Sequence, residues 1–187
     1  MSIAGWIYIP ILSELYDLHQ LKKLATLPSQ VEIEDVFQAI DTDKSDKIDM
    51  HEYLSFFKQF FHLEDKNGKL EYEKELKMIF RLADEKQFMK SKGDGKLNRH
   101  EFVRVYQALP QNKEQDTQSL IGEFMFNMID KDHNKAIDKK EFKAFAEEYF
   151  DDKNDKDGKK KMKEMDTNGD GKVDFNEFMA WFKKHNK

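Results

Sequence analysis

The chain has 187 residues, a formal net charge of −5, 37% charged and 13% aromatic residues, 16 Phe against 3 Pro and 8 Gly, and no Cys. That much apolar material can build one domain or two small ones, which excludes disorder and collagen-like structure; the missing cysteines exclude disulfides, thiolate metal sites and Cys nucleophiles. Acidic and basic residues alternate instead of forming a basic stripe, so nucleic acid is not an expected partner, and any metal must bind through oxygen or imidazole.

Residues 1–28 form an N-terminal extension. Its apolar stretch, Ile3 to Leu12, is too short to span a bilayer, contains Pro10 and lacks the basic start of a signal peptide. Ser2 removes the Gly that N-myristoylation needs. No stable membrane span is expected, and a soluble, cytoplasmic protein is. Leu12, Leu15, Leu18, Leu21 and Leu24 recur every third residue, which predicts an amphipathic helix. Two roles fit it: packing on the rest of the protein, or occupying a groove meant for a target helix.

From residue 29 one register recurs: an apolar helical stripe, an acidic loop closed by Glu, and a second apolar stripe. In the first copy Ser29 and Glu32 make a capping box, so a helix is expected from about residue 30. Its stripe is Ile33, Val36, Phe37 and Ile40; the loop runs from Asp41 to Glu52, and Tyr53, Phe56, Phe57 and Phe60 follow at helical spacing. Asp65 to Leu70, around Gly68, reads as a turn between helices.

The second copy has the stripe Leu76, Ile79, Phe80 and Ala83, and its loop runs from Asp84 to Glu101, 18 residues with six inserted. Counting back twelve from Glu101 instead would put Lys90 and Lys92 where acids belong and would need the poor stripe Leu82, Glu85, Lys86 and Met89. Phe102, Val105, Tyr106 and Leu109 form the exit stripe, and Pro110 to Asp116 is a polar linker. The third copy has Gly122, Met125, Phe126 and Ile129, the loop Asp130 to Glu141, then Phe142, Phe145, Ala146 and Tyr149. The stretch around Gly158 reads as a solvated linker. A thin stripe, Met162 and Met165, leads into Asp166-Thr167-Asn168-Gly169-Asp170-Gly171-Lys172-Val173-Asp174-Phe175-Asn176-Glu177, which fits D-x-[DN]-x-[DN]-G-x5-E at every specified position.

On these residues the chain resembles the EF-hand calcium-binding superfamily over roughly residues 29 to 185. The resemblance implies an all-α fold of four EF-hand helix–loop–helix repeats paired into two lobes, plus the extra N-terminal helical segment. The boundaries are 29–109 for an N-terminal pair, 110–116 for the linker and 117–187 for a C-terminal pair. Such loops offer a hard cation oxygens from positions 1, 3, 5, 7, 9 and 12, position 7 through its carbonyl and Glu at 12 through both oxygens. The implied metal ligands are Asp41, Asp43, Ser45, Lys47, Asp49 and Glu52; Asp130, Asp132, Asn134, Ala136, Asp138 and Glu141; and Asp166, Asn168, Asp170, Lys172, Asp174 and Glu177. Position 8, which pairs two loops in this family, is Ile48, Leu97, Ile137 and Val173.

The second hand is degenerate and read as the packing partner of the first, with an unusual site from Asp84, Asp94, Asn98 and Glu101 as the alternative. Each intact loop carries four carboxylates, so position 6 separates them: Gly171 accepts positive φ freely, Asp46 with some strain, Lys135 at a cost of ~1 kcal/mol or more. The last loop is expected to bind tightest. Three Ca²⁺ are expected, with Mg²⁺ as competitor.

Active first, third and fourth hands with a lengthened second are similar to the sarcoplasmic calcium-binding proteins and, more distantly, to calmodulin-like sensors. The implied function is calcium binding as a sensor or a buffer; a sensor would grip an amphipathic target helix. The alternative is a calcium-regulated photoprotein-like ligand binder, for which only Trp6 and Trp181 are present. Catalysis is not expected, since the six His sit singly and no nucleophile elbow is present.

Overall fold

Four times along the chain an Asp or Asn side chain accepts the backbone N–H of a Glu three residues on, while that Glu reaches back to the cap's own N–H. The pairs are Asp49 with Glu52, Asn98 with Glu101, Asp138 with Glu141 and Asp174 with Glu177, and a helix starts at each. Such a box satisfies two of the donors a helix N-terminus leaves open, and losing the cap costs ~0.5–2 kcal/mol.

The computed structural model describes residues 30–84, 93–110, 115–150 and 158–186. Among them are eight helices and four two-residue strands. In chain order these are α1 (Gln30–Ile40), β1 (Ile48–Asp49), α2 (Met50–Phe60), α3 (Glu73–Ala83), β2 (Lys96–Leu97), α4 (Arg99–Ala108), α5 (Thr117–Ile129), β3 (Ala136–Ile137), α6 (Lys139–Tyr149), α7 (Lys159–Met165), β4 (Val173–Asp174) and α8 (Phe175–His185). The expected N-terminal helix, the Ser29 cap and the insert at 85–92 lie outside the described residues. No helix among the described residues is long and apolar enough to cross a membrane.

The loops pair through their strands. β1 runs antiparallel to β2 with Ile48 opposite Leu97, and β3 to β4 with Ile137 opposite Val173. All four of these side chains are buried, so each short bridge sits over apolar packing. Between α2 and α3 the chain makes the expected turn: Glu64 bridges Leu70, Gly68 has φ +75°, and Asp65 accepts the N–H groups of Asn67 and Lys69.

The described stripe positions are buried in the first, second and third copies, apart from a few half-exposed members such as Val36, Phe56 and Tyr106. They join one connected core that runs from Ile33 to Phe182. It continues across the middle of the chain, because α3 packs on both α5 and α6, and α4 on α5. Phe57 of α2 stacks on Phe124 of α5, with centroids 5.5 Å apart. The Tyr149 hydroxyl on α6 donates to the buried Glu75 carboxylate on α3 at 2.7 Å, and Lys74 lies over the Tyr149 ring. Asn127 donates to the Ala108 carbonyl, closing the end of α4.

One expectation is corrected. Gly158 is not solvated: it is buried at the start of α7 with φ +65°, and a Cβ there would lie 2.4 Å from the Ala146 Cβ and 2.9 Å from the Phe142 ring. Close approach of α7 to α6 requires a residue without a side chain. The described histidines are exposed, and His185 stacks on Trp181.

Candidate metal centres

Each loop begins where a helix ends and closes where the next is capped, so the residue at position 9 is also the N-cap and the Glu at position 12 is also the third helical residue. This double duty fixes the closing carboxylate before any cation is considered.

The opening carboxylate is fixed by backbone donors. Asp41 accepts the N–H groups of Ser45 and Asp46, both at 2.9 Å; Asp130 accepts those of Asn134 and Lys135 at 3.1 and 2.8 Å; Asp166 accepts those of Asp170 and Gly171 at 3.1 and 2.9 Å. The closing Glu repeats as well. One oxygen accepts the N–H of position 2, which is Thr42, Lys131 or Thr167, and the other that of position 9, which is Asp49, Asp138 or Asp174. The Thr42 and Thr167 hydroxyls add a further bond to Glu52 and Glu177. Ser45 donates its hydroxyl to the Lys47 carbonyl, so positions 5 and 7 adjoin.

Carboxylate oxygens of Asp41, Asp43 and Glu52 lie within 4.8 Å of one another, as do those of Asp130, Asp132 and Glu141. The last loop has the amide of Asn168 where those two have Asp43 and Asp132, so its set is part amide. Asp41, Glu52, Asp130 and Glu141 are all buried, and converging buried carboxylates repel unless a cation joins them. Every side-chain donor is an oxygen, which suits a hard divalent ion such as Ca²⁺ and no soft metal.

Positive φ occurs twice, not once, in each of loops 41–52, 130–141 and 166–177. Position 6 has Asp46 at φ +66°, Lys135 at +68° and Gly171 at +85°; position 4 has Lys44 at +58°, His133 at +56° and Gly169 at +76°. Sequence reasoning missed position 4, although Gly169 was a visible signal. Of the three loops 41–52, 130–141 and 166–177, the last alone has glycine at both places.

The second loop keeps the frame. Asp84 accepts the N–H groups of Asp94 at 3.1 Å and Gly95 at 2.8 Å, which makes Asp94 the fifth position and Gly95, at φ +80°, the sixth. The six extra residues therefore fall between positions 1 and 5. Asp94 is turned to Lys47 of the first loop, an ion pair between neighbours. Asp84, Asp94, Asn98 and Glu101 are not among the acidic groups whose oxygens converge, as far as the described residues show.

The carboxyl groups differ in acidity. Burial raises Asp130, with the N–H groups of Lys135 and Asn134 working against it, while Asp132 is held below its ordinary value by Asn134 in spite of burial. Burial also acts to raise Glu177, but the N–H groups and hydroxyl around it prevail and lower it. A cation needs these groups deprotonated. Protons therefore compete with a cation for these groups, and Ca²⁺ affinity is expected to fall on acidification; chelator-competition titrations at stepped pH check this, and an affinity independent of pH contradicts it.

Two family models match the chain: one described as an EF-hand domain pair covers residues 121–183, and one described as an EF hand covers residues 33–60. Neither reaches the second, lengthened loop. No curated protein matches. The matched segments enclose both converging acidic clusters and the last loop, and EF-hand domains with such clusters bind divalent calcium. With loop frame, donor chemistry and family models in agreement, the chain belongs to the EF-hand calcium-binding superfamily.

Proposed function

We propose that this chain is a non-enzymatic calcium buffer that takes three Ca²⁺, in loops 41–52, 130–141 and 166–177, with the long second loop serving as packing partner of the first. The observation that carries this is the threefold recurrence of one arrangement: an opening carboxylate held by two backbone N–H groups and a closing Glu held by positions 2 and 9. The four hands pair as 29–109 and 117–187, a division supported by the β1–β2 and β3–β4 bridges. A cytoplasmic location suits a chain without cysteines.

The buffer reading rests on what the two halves do with their apolar faces. A sensor keeps a groove free for a target helix and opens it on loading. Here Phe57 lies on Phe124 and Glu75 on Tyr149, so apolar surface of each half is spent on the other. Three bound ions would move the formal charge from −5 to +1, since −5 + 6 = +1, with no opening of the core.

Calcium should then act mainly on stability. An ion at 100 times its Kd adds ~2.7 kcal/mol per site, so three sites give ~8 kcal/mol. At ~2–4 °C per kcal/mol for a chain of this size, the melting temperature is expected to rise by roughly 15 to 30 °C between excess chelator and saturating Ca²⁺. Superimposable melting curves would overturn the assignment.

A further inference from the structure

Arg99, the first residue of α4, is not in the first loop, yet it grips both sides of it. Its Nε donates to the Glu34 carboxylate at 2.8 and 3.1 Å and its Nη2 to the same group at 2.9 Å, which ties it to the helix entering that loop. Its Nη1 donates to the Asp46 carboxylate. The guanidinium lies over the Phe37 ring at 4.6 Å, so one face of the fork is set by the core. A second tie runs the other way, from Lys47 to Asp94.

Asp46 is the residue where this matters. It occupies position 6 at φ +66°, a conformation an L-residue resists, and its backbone N–H is one of the two donors that fix the opening Asp41 carboxylate. The side chain of the strained residue is thus held from the second hand while its backbone orients the opening carboxylate of the first loop. Loop 130–141 has Lys135 at that position, and loop 166–177 has Gly171, so neither offers a carboxylate for such a clamp.

We propose that Arg99 is a positioning residue that sets the calcium affinity of loop 41–52 from the metal-free second hand, by holding Asp46 in the left-handed conformation through a planar fork shared with Glu34. This rests on loop 41–52 being a calcium site. It gives the degenerate hand a specific task, beyond filling space beside its neighbour. The trio of Arg99, Glu34 and Asp46 carries a net charge of −1, so losing Arg99 leaves more negative charge near the loop. Long-range attraction alone would therefore raise calcium affinity when Arg99 is removed, and preorganisation would lower it. The two effects have opposite signs.

The test uses the full chain, with chelator-competition Ca²⁺ titrations at ~0.15 M salt followed through the backbone amide resonances of each loop. R99Q is expected to weaken loop 41–52 by about three- to tenfold and to leave loops 130–141 and 166–177 unchanged. R99K keeps the charge but not the fork and is expected to recover little of the loss. In a D46G background, where position 6 needs no support, R99Q is expected to cost less than about twofold. An unchanged or raised affinity in R99Q, or a loss that persists undiminished with D46G, overturns the proposal. If loop 41–52 of the unsubstituted chain shows no calcium response, the site itself is refuted and the proposal with it, whereas a normal response untouched by R99Q refutes Arg99 alone.

Discussion

Replacing Glu177 by Gln is expected to lower the calcium affinity of loop 166–177 by two to three orders of magnitude and to be the largest loss among E52Q, E141Q and E177Q. One oxygen of Glu177 accepts the Thr167 N–H, the Thr167 hydroxyl and the Asn168 N–H, and the other accepts the Asp174 N–H. An amide keeps only one acceptor, and its NH₂ would face a donor. Truncating one partner of a hydrogen-bonded charge pair of this kind costs ~2–5 kcal/mol, about 30-fold upwards in affinity. The ranking follows from the backbone. Loops 41–52 and 130–141 each hold two side-chain-bearing residues at positive φ, Lys44 with Asp46 and His133 with Lys135, at ~1–2 kcal/mol per residue, whereas loop 166–177 holds Gly169 and Gly171. The last loop orders at least strain and is expected to bind tightest. Competition titrations on the three variants check both statements; a smallest loss at E177Q would contradict the ranking.

Phe124→Ala is expected to destabilise the chain by ~3–5 kcal/mol, because the ring is fully buried and its removal leaves a cavity that helices on either side cannot close. Phe124 stacks on Phe57, so the cavity opens where the two halves meet. The second expected result is therefore binding of a hydrophobic dye to the folded variant with or without Ca²⁺, a property the unsubstituted chain should lack. Tyr149→Phe probes the same seam more gently: it strands the buried Glu75 carboxylate without its donor, at ~1–3 kcal/mol. Urea unfolding gives the energies and dye fluorescence the exposure. Stability within 1 kcal/mol of the unsubstituted chain in F124A would show that the halves do not depend on this contact.

Much of the site was legible in the sequence because its rules are local. The loop pattern fixes ligand type at fixed offsets, and the flanking stripes repeat at helical spacing; both survive in the folded chain as Asp41, Asp130 and Asp166 held alike and as Phe37, Phe80 and Phe126 buried alike. The frame of the second loop could be read for the same reason, since the stripe Leu76, Ile79, Phe80 and Ala83 ends at Asp84, and Asp84 accepts from Asp94 and Gly95 in the place of positions 5 and 6. What was missed divides in two. The second positive-φ position and the capping duty of Asp49, Asn98, Asp138 and Asp174 are local and could have been found from Gly169 and from the spacing of each Glu. Arg99 on Glu34, Tyr149 on Glu75 and Gly158 on Ala146 could not. These partners are separated by many residues and are chosen by how helices pack, for which a single sequence has no periodic signal.

Calorimetric Ca²⁺ titration of the full chain at physiological Mg²⁺, with a parallel sample containing a hydrophobic dye, distinguishes a buffer from a sensor most directly. Three Ca²⁺ per chain and no rise in dye fluorescence on loading are expected, because the apolar faces of the two halves remain on each other. Fewer than two sites would contradict the loop assignments, and three sites with a dye response confined to the calcium-loaded form would contradict the buffer and make this chain a sensor.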